Sequence, residues 1–239
     1  AVANNGGTFL AMTSPDGITW TGQSGLGTPT NWTGVTYGSG KFVAIGEQWA
    51  ASSTDGITWT ENATTVVAQW SSVTFGASKF VAVAKAIGGD CTSASGTNCV
   101  ITSSDGLTWA AASAISGEEW NSVTYGGPSG SELFVSVAGA GSNRVMTSQD
   151  GTSWSAAASA AATNYWQSIT YGANQFVAVG FGGGVMTSAD GSTWTAQTSG
   201  NSSLWNAVAA GPQYVAVGQS SGDSIMSSFI YAAPTVSGV

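Results

Sequence analysis

The chain has 239 residues, of which only 7% are charged, and a net charge of −8; its four cations are Lys41, Lys79, Lys85 and Arg144. That excludes nucleic acid as a partner, since binding it needs clustered Lys and Arg to displace phosphate counterions, and it disfavours anionic membrane surfaces. With no histidine and no apolar run near the roughly 20 residues of a spanning helix, Ser–His nucleophiles, His metal sites and helical membrane insertion are excluded as well.

Ala1-Val2-Ala3 reads as the back half of a strand, so the sequence opens in mid-repeat, as a trimmed piece or a chain matured by cleavage would. A heptapeptide follows, Ser14-Pro15-Asp16-Gly17-Ile18-Thr19-Trp20, and it returns at 53–59, 103–109, 148–154 and 188–194. Asp-Gly is a tight-turn signal: Gly takes a positive φ, and the Asp carboxylate accepts N–H groups of its own turn. Thr and Trp behind it are strand formers. A second signature begins at Trp32: Trp-x-x-Val-Thr-Tyr-Gly, a short turn, then Phe42-Val43-Ala44-Ile45. It returns from Trp70, Trp120, Trp166 and Trp205. Cys91 and Cys99 bracket a polar loop in the second full repeat and predict a local disulfide, worth about 2–3 kcal/mol. A disulfide with so little charge points to an extracellular, cell-surface or virion-surface setting.

The two signatures together give four short strands per unit, repeating every 38 to 50 residues. That is the spacing of a propeller blade. The reading is all-β: a β-propeller of five four-stranded blades over residues 1–231, one blade being built from both chain ends so that no sheet edge is left free. The run Ser224 to Ser228 is surplus to that count. It competes with residues 9–13, pairs outside the ring, or starts a sixth blade. Residues 232–239 carry no repeat and form a tail or the start of a linker. Their sequence resembles the opening strand of immunoglobulin-like IPT/TIG domains, which implies one module of a longer chain.

The heptapeptide resembles the Asp-box, and the whole chain is similar to the BNR/Asp-box β-propellers, a family of sialidases and non-catalytic propellers. The resemblance implies that Asp16, Asp55, Asp105, Asp150 and Asp190 are folding elements at the turn between third and fourth strands, away from the ligand face. It also tests catalysis. Sialidases of this family hold their substrate carboxylate with three arginines, and Arg144 is the only arginine here. Other glycosidases need two converging carboxylates, and no pair stands out among the remaining acids. The chain reads as non-catalytic, with no cofactor. A Ca²⁺ site would need six to eight oxygens, which Asp90 and Asp223 alone do not supply.

In such a fold the second-to-third strand loops and the sheet-to-sheet connections share one face, and here those loops differ from copy to copy: 46–49, 85–99, 139–144, 180–184 and 218–223. Departures from an internal repeat are what folding alone does not require, and binding favours loops on a rigid scaffold. The candidates on this face are Trp49 and Glu47, Arg144, Phe181, Asp90, Asp223 and Glu119 beside Glu118. Trp49, the one tryptophan outside the repeats, either stacks on a sugar or packs over its own loop. The expected function is recognition of a glycan, with a structural or protein-interaction module of a surface, tail or fibre protein as the alternative.

Overall fold

The computed structural model describes residues 1–3, 10–27, 31–85, 99–115, 118–157, 164–200, 203–219 and 225–229. Each full repeat folds as a meander of four antiparallel strands. Sheet II comprises Trp32–Gly38, Lys41–Gly46, Trp49–Ser53 and Thr60–Ala63. Sheet III comprises Gln69–Gly76, Lys79–Lys85, Val100–Ser103 and Ala110–Ala111. Sheet IV comprises Trp120–Gly126, Leu133–Ala138, Val145–Ser148 and Ser155–Ala156, and sheet V comprises Trp166–Gly172, Gln175–Gly180, Val185–Ser188 and Thr195–Gln197. Successive first strands pack on one another. Consecutive four-stranded sheets joined in this way define a β-propeller.

The Trp-x-x-Val-Thr-Tyr-Gly signature makes the seam between blades. The pairing of first and second strands shifts register just after each motif tryptophan, at 32/34, 70/72, 120/122 and 166/168. A bulge of this kind re-aims the extra side chain. Thr33 Oγ1 therefore donates to the Trp70 carbonyl (2.5 Å), Ser71 Oγ to that of Trp120 (2.6 Å), and Asn121 Nδ2 to that of Trp166 (2.7 Å). One residue further on, the hydroxyls of Ser72, Ser122 and Ser168 accept the N–H groups of Val123, Ile169 and Val208 in the next sheet. The tryptophans at 32, 70, 120, 166 and 205 are all 1% exposed or less. Burying a ring of that size is worth about 4–6 kcal/mol gross, an upper bound. At the end of the first strand, Gly76 is required by close approach: a Cβ there would lie 2.0 Å from the Tyr125 ring of the next sheet.

The heptapeptide closes the other side of the seam. In all five copies one Asp Oδ1 accepts the N–H groups two and three residues on, and the Ser hydroxyl accepts the Gly N–H. The indole N–H of Trp20, Trp59, Trp154 and Trp194 donates back to the Gly carbonyl. Backbone donors aimed at the charged form hold the Asp55 carboxyl down at about 2. The Asp105 carboxyl is also at about 2, its backbone and Ser103 donors outweighing a burial effect of opposite sign. Lys41 reaches the Asp105 carbonyl and Lys79 that of Asp150, so each lysine ties its sheet to the turn of the next. All five aspartate carboxylates are thus engaged by donors of their own turns.

The chain ends depart from expectation. No blade is shared between them among the described residues. Ile225–Phe229 pairs in full register with Gln213–Gln219, from Gln213↔Phe229 to Val217↔Ile225. It takes the third place that Ala11–Thr13 would have filled. Sheet VI is therefore Leu204–Ala210, Gln213–Gln219 and Ile225–Phe229, while Ala11–Thr13 pairs with Thr21–Gln23 as sheet I, with Val2 bridging Ala11. The surplus run has an edge of its own to occupy, which removes any need for exchange between the ends. The tail at 232–239 lies outside the described residues.

Two outcomes follow from the turns. Gly151 has φ +72°, and a Cβ on it would meet the Val81 side chain at 2.7 Å, whereas Gly17 has φ +75° and open space around it. Gly151→Ala is expected to lower stability by at least about 1 kcal/mol more than Gly17→Ala in urea unfolding, because only the first adds a clash to the strain. For the aspartates, a folded-state pKa below the unfolded value contributes stability that is present above the ordinary carboxylate range and lost as pH falls through the folded value. Melting temperature is thus expected to be level above about pH 5 and to fall between about pH 4 and pH 2, as read by circular dichroism.

Candidate functional site on the variable-loop face

On the face opposite the heptapeptide turns, the second-to-third strand turn of one sheet lies against the connection into the next. Backbone bridges Glu47↔Gln69 and Lys85↔Glu119 mark this contact. Between sheets IV and V the same arrangement gathers three large side chains. The Arg144 guanidinium lies 5.8 Å over the Tyr165 ring, and the Tyr165 ring is stacked on Phe181 at 6.0 Å and 12°. Tyr165 remains 47% exposed.

Local backbone chemistry sets this geometry. Phe181–Gly183 is a single 3₁₀ turn following the second strand of sheet V. Asn164 clips it to the incoming connection: its Nδ2 donates to the Phe181 carbonyl (2.9 Å), its Oδ1 accepts the Tyr165 N–H (2.8 Å), and the Phe181 N–H donates to the Tyr165 carbonyl (3.0 Å). The two rings leave a doubly tied backbone and lie nearly parallel. Arg144 is held from its own side, where Nη1 donates to the Gly139 carbonyl. Aromatic pairs and cation–π contacts of these kinds contribute about 0.5–1.5 kcal/mol each.

Beneath the 139–144 loop sits Glu118, 2% exposed. Its Oε1 accepts the N–H groups of Ser142 (3.2 Å) and Asn143 (2.9 Å) and the Asn143 side-chain amide (3.2 Å). Glu118 Oε2, Asn121 Oδ1 and Arg144 Nε are buried without a hydrogen-bond partner. A buried carboxylate is costly unless bonded, and here the three donors make Glu118 the post around which the loop carrying Arg144 is wrapped.

The remaining sequence candidates go elsewhere. Trp49 is not on a loop: it opens the third strand of sheet II, half-buried against a cluster that includes Leu10, Leu26 and Trp32. Glu47 is exposed and accepts a bond from Asn31 Nδ2 (2.7 Å). Glu119 is half-buried, and its carbonyl accepts the Gly139 N–H. Asp90, Asp223 and Cys91 lie outside the described residues; Cys99 is 2% exposed at the foot of a third strand. Arg144 and Phe181 are thus brought together, and the sequence reading missed the Tyr165 between them. A signal existed: the residue before the motif tryptophan is Asn31, Gln69, Glu119 and Leu204 in the other copies, and only here is it aromatic.

A cavity of about 700 Å³ opens between sheets V and VI, lined by Val177, Val179, Val208, Ala216 and Met226 among others. Ser228 pairs with Tyr214 as Ser188 pairs with Phe176, and in sequence Phe229-Ile230-Tyr231 follows where the heptapeptide copies have x-Asp-Gly.

No known protein family and no curated protein matches the sequence. Solved structures do resemble the fold, among them the β-propellers YCF48, virginiamycin B lyase and GH74. YCF48 bound to a D1 peptide superposes with a TM-score of 0.61 at 16% identity, over 91% of this chain and 70% of that one. Virginiamycin B lyase from Staphylococcus aureus gives 0.62 at 15% identity, over 84% and 70%. The GH74 enzyme of Niastella koreensis gives 0.58 at 19% identity, over 86% of this chain but only 31% of that one. YCF48 from Cyanidioschyzon merolae, at 16% identity and TM-score 0.55, is matched over 64% of its length. At such identities the likeness carries the propeller class alone.

Glu118→Ala leaves the Ser142 and Asn143 donors without their acceptor and is expected to lower stability by about 1–3 kcal/mol, with faster hydrogen exchange at those two amides. Glu118→Gln retains an acceptor oxygen and is expected to lose less on both measurements.

Proposed function

We propose that this chain is a non-catalytic recognition module of the BNR/Asp-box propeller class, which takes a glycan on its variable-loop face at Tyr165, Phe181 and Arg144. One observation carries the reading: a half-exposed aromatic ring, stacked and clipped in place, stands on the face where the repeats diverge. An aromatic face meets the apolar C–H side of a sugar, and the Arg144 guanidinium is suited to its hydroxyls and carboxylates. The lone arginine favours binding over sialidase-type catalysis, which clamps its substrate with three. The low charge suits display on a cell or virion surface.

A second reading is recognition of a protein or peptide on the same face. It is favoured by the neighbour whose structure contains a bound peptide.

The test is binding of the purified chain to a glycan array, with and without EDTA, for the wild type, Tyr165→Ala and Trp49→Ala. Expected are binding insensitive to EDTA, a loss of about tenfold or more in Tyr165→Ala, and retention in Trp49→Ala. Tyr165→Ala removes one ring pair and one cation–π contact, so it is expected to cost about 1–3 kcal/mol of stability and still to be folded in urea unfolding. A blank array combined with Tyr165-dependent peptide binding would replace the first reading with the second.

A further inference from the structure

Each interior seam joins two faces. One is the second-strand face of a sheet, fully buried at Val43 and Ile45, Val81 and Val83, and Val135 and Val137. The other belongs to the next sheet: its turn glycine comes down on the first of those valines, Gly106 on Val43, Gly151 on Val81 and Gly191 on Val135. The third-strand side chain (Met146, Met186) and the heptapeptide tryptophan (Trp154, Trp194) are buried with it, at 8% exposure or less.

Each end sheet carries one of these faces uncovered. In sheet VI the pairing register aligns Val215 and Val217 with Val177 and Val179. Val217 is nonetheless 44% exposed, and Ile225, its partner across the ladder, 69%. In sheet I, Met12 stands in the register place of Met146 and Met186 yet is 41% exposed, and Trp20 is 47% exposed where Trp154 and Trp194 are buried. Gly17 has the positive φ of its counterparts and meets no atom within 4 Å. No strand pairing joins sheets I and VI among the described residues.

We propose that the Met12–Gly17–Trp20 face of one chain docks on the Val215–Val217–Ile225 face of a second copy, head to tail, as one more turn of the same seam. The ground is continuity: the interface is already made three times within the chain, by apolar side chains in equivalent register. Among the described residues both faces are apolar, and the Asp16 carboxylate at the margin is hydrogen-bonded within its own turn. Contact between different patches on each partner is heterologous, and such contacts extend beyond a pair until a ring closes.

Sedimentation velocity over about 1 to 100 µM tests this. The wild type is expected to rise with concentration from the mass of one chain to that of two and more. Met12→Asp and Val217→Asp alter exposed positions, so each is expected to stay folded and at the mass of one chain. Mixed in equal amounts, the two variants retain one sound face each and are expected to form a species of two chains that grows no further. A wild type that stays at one chain throughout would overturn the proposal. So would variants that assemble like the wild type, or a mixture that does not recover pairing.

Discussion

The structure depends on a hydrogen bond that crosses from one blade to the next. A bulge after the motif tryptophan turns a small polar side chain away from its own sheet and toward the carbonyl of the next motif tryptophan. That bond fixes the offset between blades to within a side-chain length, and the indole is buried behind it. With the offset fixed, the aromatic of one first strand lands over the terminal glycine of the preceding one, and the heptapeptide glycine lands on a valine. None of these contacts involves a long flexible side chain. A chain rich in Ala, Ser, Gly and Thr can therefore hold a large all-β fold together by repeated close approach.

A framework specified this tightly leaves one face free to vary. The turns on the heptapeptide side are committed, because their carboxylates are consumed by backbone donors and their glycines by packing. On the opposite face the turn and connection need only meet. The meeting point between sheets IV and V holds a buried carboxylate, a clipped aromatic pair and the chain's only arginine, a concentration of chemistry that the repeat does not ask for.

Much of this was legible in the sequence because the repeats are in phase. Five tryptophans at one place in the repeat announced the buried ring positions, and five Asp-Gly pairs announced the turns, since both effects are local or recur identically. The ends were less legible. Whether Ser224 to Ser228 stays with its own sheet or yields to the N-terminal strands is a competition between equivalent ladders, and only pairing in three dimensions decides it. The platform was half legible. Arg144 and Phe181 stood out as departures from the repeat, but Tyr165 lies just before the motif and outside the loops that vary, so neither signal covered it. Trp49 stood out equally and proved to be a half-buried member of a strand, because an isolated tryptophan carries the same signal whether its ring is stacked on a ligand or packed on a neighbour.

The central claim is that the seams, not the individual blades, hold the molecule together. Native-state hydrogen exchange in increasing denaturant, on dilute single chains, measures this directly. The account predicts that sheets II to V, each enclosed by seams, open together at the highest free energy, and that sheets I and VI open first. Exchange as slow in the end sheets as in the middle, or middle sheets that open one at a time at widely separated free energies, would contradict it.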